Sequence, residues 1–205
     1  MYYITKMKLI VIDGNIGSGK TTLIQALQQH LKNVYIVTEN VDEWKKSGLL
    51  DKYYDNPKEM AFRFQMKVAM DHSKTIKNMI STYGNDITII SERSTYSCYH
   101  IFTRMLKNIN YMNDMEEEIH KELCLECGYK PDIYIYLKTN IHHLLQRIER
   151  RNRENNIPKK YLEDLDKQYE MMKKQCNKDN IKYIEINSNK TPKDVLDEYL
   201  YHFFS

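Results

Sequence analysis

The segment that most constrains this chain is GNIGSGKTT at residues 14–22. It fits the pattern G-x-x-x-x-G-K-[ST] and lies between an apolar run, MKLIVID at 7–13, and a helical pattern over 22–31. Three of the chain's 6 glycines sit in this short loop. They let the backbone curl so that its N–H groups converge on an anion, and the following helix adds the positive end of its dipole. Lys20 is placed to reach the β- and γ-phosphates, and the Thr21 hydroxyl is suited to ligate Mg²⁺. The expectation is a nucleoside triphosphate held by Gly14, Asn15, Ile16, Gly17, Ser18, Gly19, Lys20, Thr21 and Thr22.

The rest of the chain supplies the context that such a loop needs. Apolar, β-branched runs recur at 7–13, 34–38, 86–91, 133–137 and 182–186, with longer helical stretches such as 57–83 and 140–151 between them. Nearly continuous apolar strands are strands covered on both faces, and strand–helix alternation makes them parallel. This predicts an α/β fold with a five-stranded parallel sheet and helices on both faces. With no repeat, low-complexity tract or linker, residues 1–205 read as a single domain. The polar run ERRNRENN at 149–156 is expected to be a mobile loop between two helices.

Composition removes several classes of function. The net charge of +3 is too small for a nucleic-acid-binding surface. The start MYYITKMKLIVIDG has no hydrophobic leader, and no later stretch is apolar enough to span a bilayer, so a soluble cytoplasmic protein without membrane partners is expected. Cysteines 98, 124, 127 and 176 are expected to be reduced thiols. Cys124 and Cys127 form a CxxC after His120, but no further ligand pair follows, so they read as positions on one helix face rather than a zinc site.

The strand ends narrow the chemistry. Guanine-reading and switch motifs are not visible. The third strand ends DITIISERS, which puts Glu92 and Arg93 at the carboxyl edge of the sheet, where ligands gather in open α/β folds. A carboxylate and an arginine there suit metal support and stabilisation of transferring charge. The second strand ends VTENVDEW and leaves Glu39 at the same edge, where a carboxylate can take the proton of an acceptor hydroxyl.

Taken in order, GNIGSGKTT, TENVDEW, FRFQMKV, SERSTYS with Phe102 after it, YIYLKT and RRNRENNIPKKYL resemble the deoxynucleoside kinases. That family includes the insect multisubstrate enzyme, mitochondrial thymidine kinase, deoxycytidine kinase and deoxyguanosine kinase. The resemblance covers essentially the whole chain. It implies the P-loop kinase fold, transfer from ATP with Mg²⁺ to a deoxynucleoside 5′-hydroxyl, a homodimer, and a short basic lid over about 147–157.

By the same resemblance, Glu39 matches the general base and Arg93 the arginine on the reacting group and phosphates. Lys20 serves the phosphates, and Glu92 joins Thr21 in supporting the metal. Gln65 matches the glutamine that reads the base by a two-point hydrogen bond, with Phe102 stacked on that base and Trp44 and Phe64 on its other side. Tyr54 matches the tyrosine on the sugar 3′-hydroxyl, and Glu154 a lid glutamate that shares it. Arg151 is the lid arginine that aligns best, with Arg147 and Arg153 as alternatives.

Two positions depart from the family pattern. Asn40 replaces a proline after Glu39, which changes a backbone constraint without removing the base. Cys98 lies where relatives acting on deoxycytidine and purine nucleosides carry an aspartate paired with an arginine, and His72 falls at the arginine's place. A small neutral residue there implies a lean toward pyrimidines, thymidine included. The rival readings are a thymidylate-type monophosphate kinase and an inactive nucleotide-binding module. The first would need an arginine near the second strand for the acceptor phosphate. The second is opposed by intact Lys20, Thr21, Glu39, Glu92 and Arg93.

Overall fold

The computed structural model describes residues 7–151 and 157–204. Its elements run β1 (Lys8–Asp13), α1 (Lys20–His30), β2 (Val34–Val37), α2 (Val41–Lys46), α3 (Leu49–Asp55), α4 (Pro57–Tyr83) and β3 (Thr88–Glu92). Next come α5 (Thr95–Ser97), a π-helical segment (Cys98–Thr103), α6 (Arg104–Asn108), α7 (Asp114–Leu125) and β4 (Ile133–Lys138). The chain closes with α8 (Ile141–Arg151), α9 (Lys159–Lys178), β5 (Lys182–Asn187) and α10 (Pro192–Phe204). Each expected apolar run forms a strand.

The five strands make one all-parallel sheet in the order β2-β3-β1-β4-β5. Successive strand residues point to opposite faces. Leu9 and Val11 of β1 therefore join the core that contains Val68 of α4, Ile101 of the π-helical segment and Tyr169 of α9. Ile10 and Ile12 join a second core with Leu23 and Leu27 of α1 and Tyr199 of α10. Both faces of the central strands β1, β3 and β4 are covered, which is why these read as nearly unbroken apolar runs, whereas the edge strand β5 exposes Lys182, Glu185 and Asn187.

From β1 the chain first builds outward on one side and later adds β4 and β5 on the other. The switch in direction opens a crevice at the carboxyl ends of β1 and β3. The register pairs Ile12 with Glu92 and Val37 with Ser91, so Gly14, Glu39 and Arg93 all emerge at that crevice.

The 27 residues of α4 would span about 40 Å as a straight helix. Its start is set by Pro57 in the first turn and by the Asn56 side chain, which accepts from the Glu59 N–H. Gly84, with φ 82°, ends it. The buried stripe of α4 is Ala61, Phe64, Gln65, Val68, Ala69, His72 and Ile76. Gln65 and His72 are the polar members of that otherwise apolar face.

Three expectations need correction. Helix α1 begins at Lys20 rather than at residue 22, because Gly19 at φ 99° turns the chain into the helix within the loop itself. Residues 149–151 continue α8 instead of opening a loop, since Leu144 and Ile148 keep that helix packed. The rest of the expected mobile loop and lid, 152–156, lies outside the described residues. Finally, the CxxC is not one helix face. His120 and Cys124 point inward from α7, while Cys127 lies past its end and is exposed. Among the described residues no helix is long and apolar enough to cross a membrane.

Gly128 shows how tightly the scaffold holds the crevice. A Cβ there would stand 2.1 Å from the Cys124 carbonyl oxygen and 2.2 Å from Thr95 Oγ1, and Thr95 opens α5 directly below the Arg93 turn. Gly128→Ala is expected to destabilise the protein by about 1–3 kcal/mol, the usual cost of overpacking a filled site. Urea unfolding of the two proteins checks it, and equal midpoints would show that the contact is slack.

Candidate active site

The crevice is a cleft of about 580 Å³ that runs from the glycine loop and α1 to Tyr53, Tyr54 and Tyr161. At one end the backbone of the loop is packed against its surroundings. A Cβ on Gly14 would lie 2.8 Å from the Leu137 carbonyl, so the approach of the loop to β4 requires glycine. Asn15 Nδ2 donates to the Leu162 carbonyl at 2.9 Å, and Ser188 Oγ donates to the Ser18 carbonyl at 2.6 Å. Ile16 packs with Leu144 and Ile148. Arg147 donates to the carbonyls of Ser18 and Ser188 at 3.2 and 2.7 Å. The loop is therefore tied to α8, α9 and the turn after β5 before any ligand arrives.

Lys20 Nζ donates to the carbonyls of Gly14 and Asn15 at 3.0 and 3.1 Å. Burial, reinforced by the nearby Arg93 charge, lowers its pKa to about 8. Thr21 donates to both oxygens of Glu92, at 3.0 and 3.2 Å. Burial and the negative charge of Glu39 raise the Glu92 carboxyl above its ordinary value, against the pull of Lys20 and Arg93. Thr22 is exposed on α1 and does not reach the cleft.

At the centre, Arg93 Nη1 donates to both Glu39 oxygens at 2.7 Å. Burial alone would push the Glu39 carboxyl up, but Arg93 and Lys20 outweigh it and hold the group below its ordinary value. Arg93 has φ 59°, a left-handed backbone that few non-glycine residues adopt. Its N–H still bonds Ile12 O at 3.0 Å, which continues the β1–β3 ladder and turns the side chain across the strand ends. The guanidinium carbon lies 4.7 Å from the centroid of the Phe102 ring.

The far end of the cleft is aromatic, and α2, which supplies Trp44, also contributes Asp42 and Lys45 to the cleft lining. Phe64 stacks on Tyr53 with centroids 4.6 Å apart and meets Trp44 edge-on at 5.6 Å. Trp44 is fixed by its Nε1 donating to Asp71 at 2.7 Å. Gln65 and Cys98 line this end, both almost fully buried. Gln65 Oε1 and His72 Nε2 are buried with no hydrogen-bond partner among the described residues. Burial lowers the His72 pKa, which keeps the imidazole neutral, and raises that of the Cys98 thiol. Cys98 and Phe102 reach the cleft from the π-helical segment, whose wide turn is held by Thr103 Oγ1 donating to Cys98 O at 3.0 Å.

Of the expected site residues, the described loop members other than Thr22 form one surface with Glu39, Trp44, Tyr54, Phe64, Gln65, Glu92, Arg93, Cys98, Phe102 and Arg147. Arg153 and Glu154 lie outside the described residues, and of Arg151 only its place at the end of α8 is described. Tyr53 and Tyr161, whose hydroxyls are 3.0 Å apart, were not anticipated, although Tyr161 stands in the RRNRENNIPKKYL segment and Tyr53 precedes Tyr54. Asp13 was also missed, although it ends β1 as Glu92 ends β3. The strand-end rule that singles out Glu92 applies equally to it.

This arrangement has a family. The deoxynucleoside kinase pattern matches residues 10–200. The chain belongs to the deoxynucleoside kinase family. It is 34% identical to a probable deoxycytidine kinase of fowlpox virus over 190 residues, covering 89% of this chain and 79% of that one. It is 32% identical to the deoxyguanosine kinase of Bacillus subtilis, covering 81% and 78%. Its fold matches the solved structure of the deoxyadenosine kinase of M. mycoides with a TM-score of 0.80 at 23% identity, over 95% of this chain and 98% of that one. The chain is a deoxynucleoside kinase, so the monophosphate-kinase and inactive-module readings fall away.

The buried lysine yields a prediction about stability. Its pKa in the folded state, about 8, lies below the ordinary 10.5, so below pH 8 the folded protein carries a charge that burial disfavours. Between these two values the unfolded chain binds the proton more tightly, and stability rises with pH. The carbonyls that Lys20 engages keep other partners, Tyr169 on Gly14 and the Ser18 N–H on Asn15. Lys20→Met is therefore expected to stabilise the ligand-free protein at pH 7 by about 1–2 kcal/mol, a gain that shrinks as pH rises past 8. Urea unfolding at pH 7 and 9.5 checks both the sign and the trend.

Proposed function

We propose that this enzyme transfers the γ-phosphate of ATP to the 5′-hydroxyl of a deoxynucleoside, with pyrimidine nucleosides, thymidine included, as its better acceptors. The observation that carries the reading is the Glu39–Arg93 pair, held at 2.7 Å between an anion-binding loop and an aromatic pocket. An ionised carboxylate there suits proton removal from the acceptor hydroxyl, and a fixed guanidinium suits the charge on the transferring group. Lys20 adds charge at the phosphates, and Arg147 donates to the Ser18 carbonyl of the same loop, while the lid arginine is assigned to Arg151 or Arg153 by the family resemblance alone.

Thr21 and Glu92 would hold Mg²⁺. They offer hard oxygen donors, a hydroxyl and a carboxylate 3.0 Å apart that both line the cleft beside the glycine loop, and such donors suit a divalent cation. When bound, the ion neutralises phosphate charge.

The nucleoside base fits between Phe102 on one side and Phe64 and Trp44 on the other, with Tyr54 and Glu154 assigned to the sugar 3′-hydroxyl. The unpartnered Gln65 Oε1 supports a base-reading role, because a buried acceptor without a partner is costly until a ligand donates to it. The relatives' names span cytosine and purine nucleosides, so the preference rests on this chain's own pocket. Cys98 lines this end of the pocket without a charge, and His72 does not line it, which leaves no acidic residue at either position to meet a purine's extra polar edge. The homodimer implied by the family resemblance and the cytoplasmic setting expected from the sequence belong to the same proposal, and light scattering on the purified protein tests the first.

Glu39→Gln is expected to lower kcat by about a hundredfold or more with nucleoside KM nearly unchanged, since the amide keeps a hydrogen bond but cannot accept the proton. A loss confined to KM would make Glu39 a binding residue. Steady-state kcat/KM values for the four natural deoxynucleosides test the base preference. Thymidine and deoxycytidine should lead, and Cys98→Asp should weaken thymidine use because a buried unpaired carboxylate is costly. A lead of about tenfold for either purine nucleoside would overturn the preference and leave the kinase reaction standing.

A further inference from the structure

Arg93 faces two carboxylates, and only one of them takes part in the reaction proposed above. The other is Asp13, the last residue of β1, with no exposed surface. Its Oδ2 accepts from the Tyr134 hydroxyl at 2.5 Å. Its Oδ1 accepts from the Gly14 N–H at 2.7 Å and lies 2.8 Å from the Tyr169 hydroxyl, which also reaches the Gly14 carbonyl at 2.9 Å. Arg93 Nε stands 3.4 Å from the same Oδ1, close enough for an ion pair but too long for a good hydrogen bond. Fully buried tyrosines therefore aim their hydroxyls at an acid that no substrate can reach.

We propose that Asp13 is a positioning residue for phosphoryl transfer: it holds the Arg93 guanidinium in place when Glu39 leaves it to take the acceptor proton. The inference rests on the assignment of Glu39 as the base. In the ligand-free arrangement both Glu39 oxygens are occupied by Arg93 Nη1. To accept a proton, Glu39 has to turn at least one oxygen toward the substrate and become neutral. A buried guanidinium that loses its counter-charge is strongly disfavoured, so with Glu39 as its sole partner Arg93 would either keep the base or move with it. Asp13 removes that conflict. Three donors fix its carboxylate, it lies on the Nε side rather than the Nη1 side, and it does not change during the reaction. The Phe102 face and the left-handed Arg93 backbone complete the socket.

Asp13→Asn deletes the charge with little change of shape. The amide oxygen can take the Oδ1 place toward the Gly14 N–H, and the NH₂ can take the Oδ2 place, where the Tyr134 hydroxyl turns to accept. The expected result, read under conditions where the variant is folded, is a kcat lowered by about tenfold or more with KM for ATP and nucleoside within about threefold of the parent. The unfolding midpoint is lowered as well, because Arg93 loses a buried counter-charge. Tyr134→Phe, which frees one carboxylate oxygen and keeps the charge, should give a smaller loss of the same kind. An unchanged kcat, or a loss carried by KM, overturns the proposal. If Asp13→Asn does not fold, Tyr134→Phe decides by the same criteria. Glu39→Gln assayed alongside separates the two ideas. A normal kcat for that variant removes the base assignment, whereas a low one beside an active Asp13→Asn protein removes only the role of Asp13.

Discussion

The Arg93 guanidinium is a permanent charge placed where three strands end and water is nearly excluded. A buried cation of that kind has to be surrounded by groups that cost stability themselves. Much of the unusual local structure follows from it. Glu39 and Asp13 lie on two sides of the guanidinium, and Phe102 presents its ring face. The Arg93 backbone accepts a left-handed conformation so that its N–H can keep the sheet ladder while its side chain crosses the strand ends. Tyr134 and Tyr169, placed in a core where isoleucine would otherwise do, exist to satisfy Asp13. The same charge, with Lys20, keeps Glu39 ionised despite its burial.

How much of this could be read from the sequence depends on which physical rule each element obeys. The glycine loop and the five strands obey local rules, and they were placed within a residue or two because a sheet with helices on both faces leaves no other pattern. Glu92 and Glu39 were found because the ends of parallel strands are where such folds do chemistry. Asp13 obeys the same rule, yet it stands beside the glycine motif and was passed over in favour of it. Tyr53 and Tyr161 could not be found this way. They come together from α3 and α9 only after the fold has formed, and although Tyr161 stands in the RRNRENNIPKKYL segment, neither strand-end nor loop chemistry points to the pair. The π-winding of Cys98–Thr103 is equally invisible, since it depends on Thr103 reaching back to a carbonyl.

Gln65 and His72 fall between these cases. They interrupt the apolar stripe of α4 at helical spacing, which is legible, but the reason they are tolerated is not. A buried amide oxygen and a buried imidazole nitrogen without partners cost free energy that the folded protein does not recover alone. Unlike the loop, whose carbonyls and Asn15 amide are tied to α8, α9 and the turn after β5, this end of the cleft leaves the Gln65 amide oxygen for something else to satisfy. His72 lies in a separate small pocket with Trp44 and Asp71.

The two ends of the cleft therefore differ in kind, and the difference acts on orientation. One end holds Lys20 and the strand-end charges Asp13, Glu39, Glu92 and Arg93; the other is built from the aromatic rings of Trp44, Tyr53 and Phe64 with the Gln65 amide and the Cys98 thiol. A molecule with a flat apolar part and a hydroxyl that must meet an anionic donor gains from one orientation in such a gradient and loses in the reverse one. Inserted backwards, its polar sugar would face rings and its base would desolvate the Arg93 cluster without pairing to it. The helices α2, α3 and α4 build the aromatic end and the sheet edge builds the charged one, and Phe102 of the π-helical segment joins them, lining the cleft while its ring lies 4.7 Å from the Arg93 guanidinium.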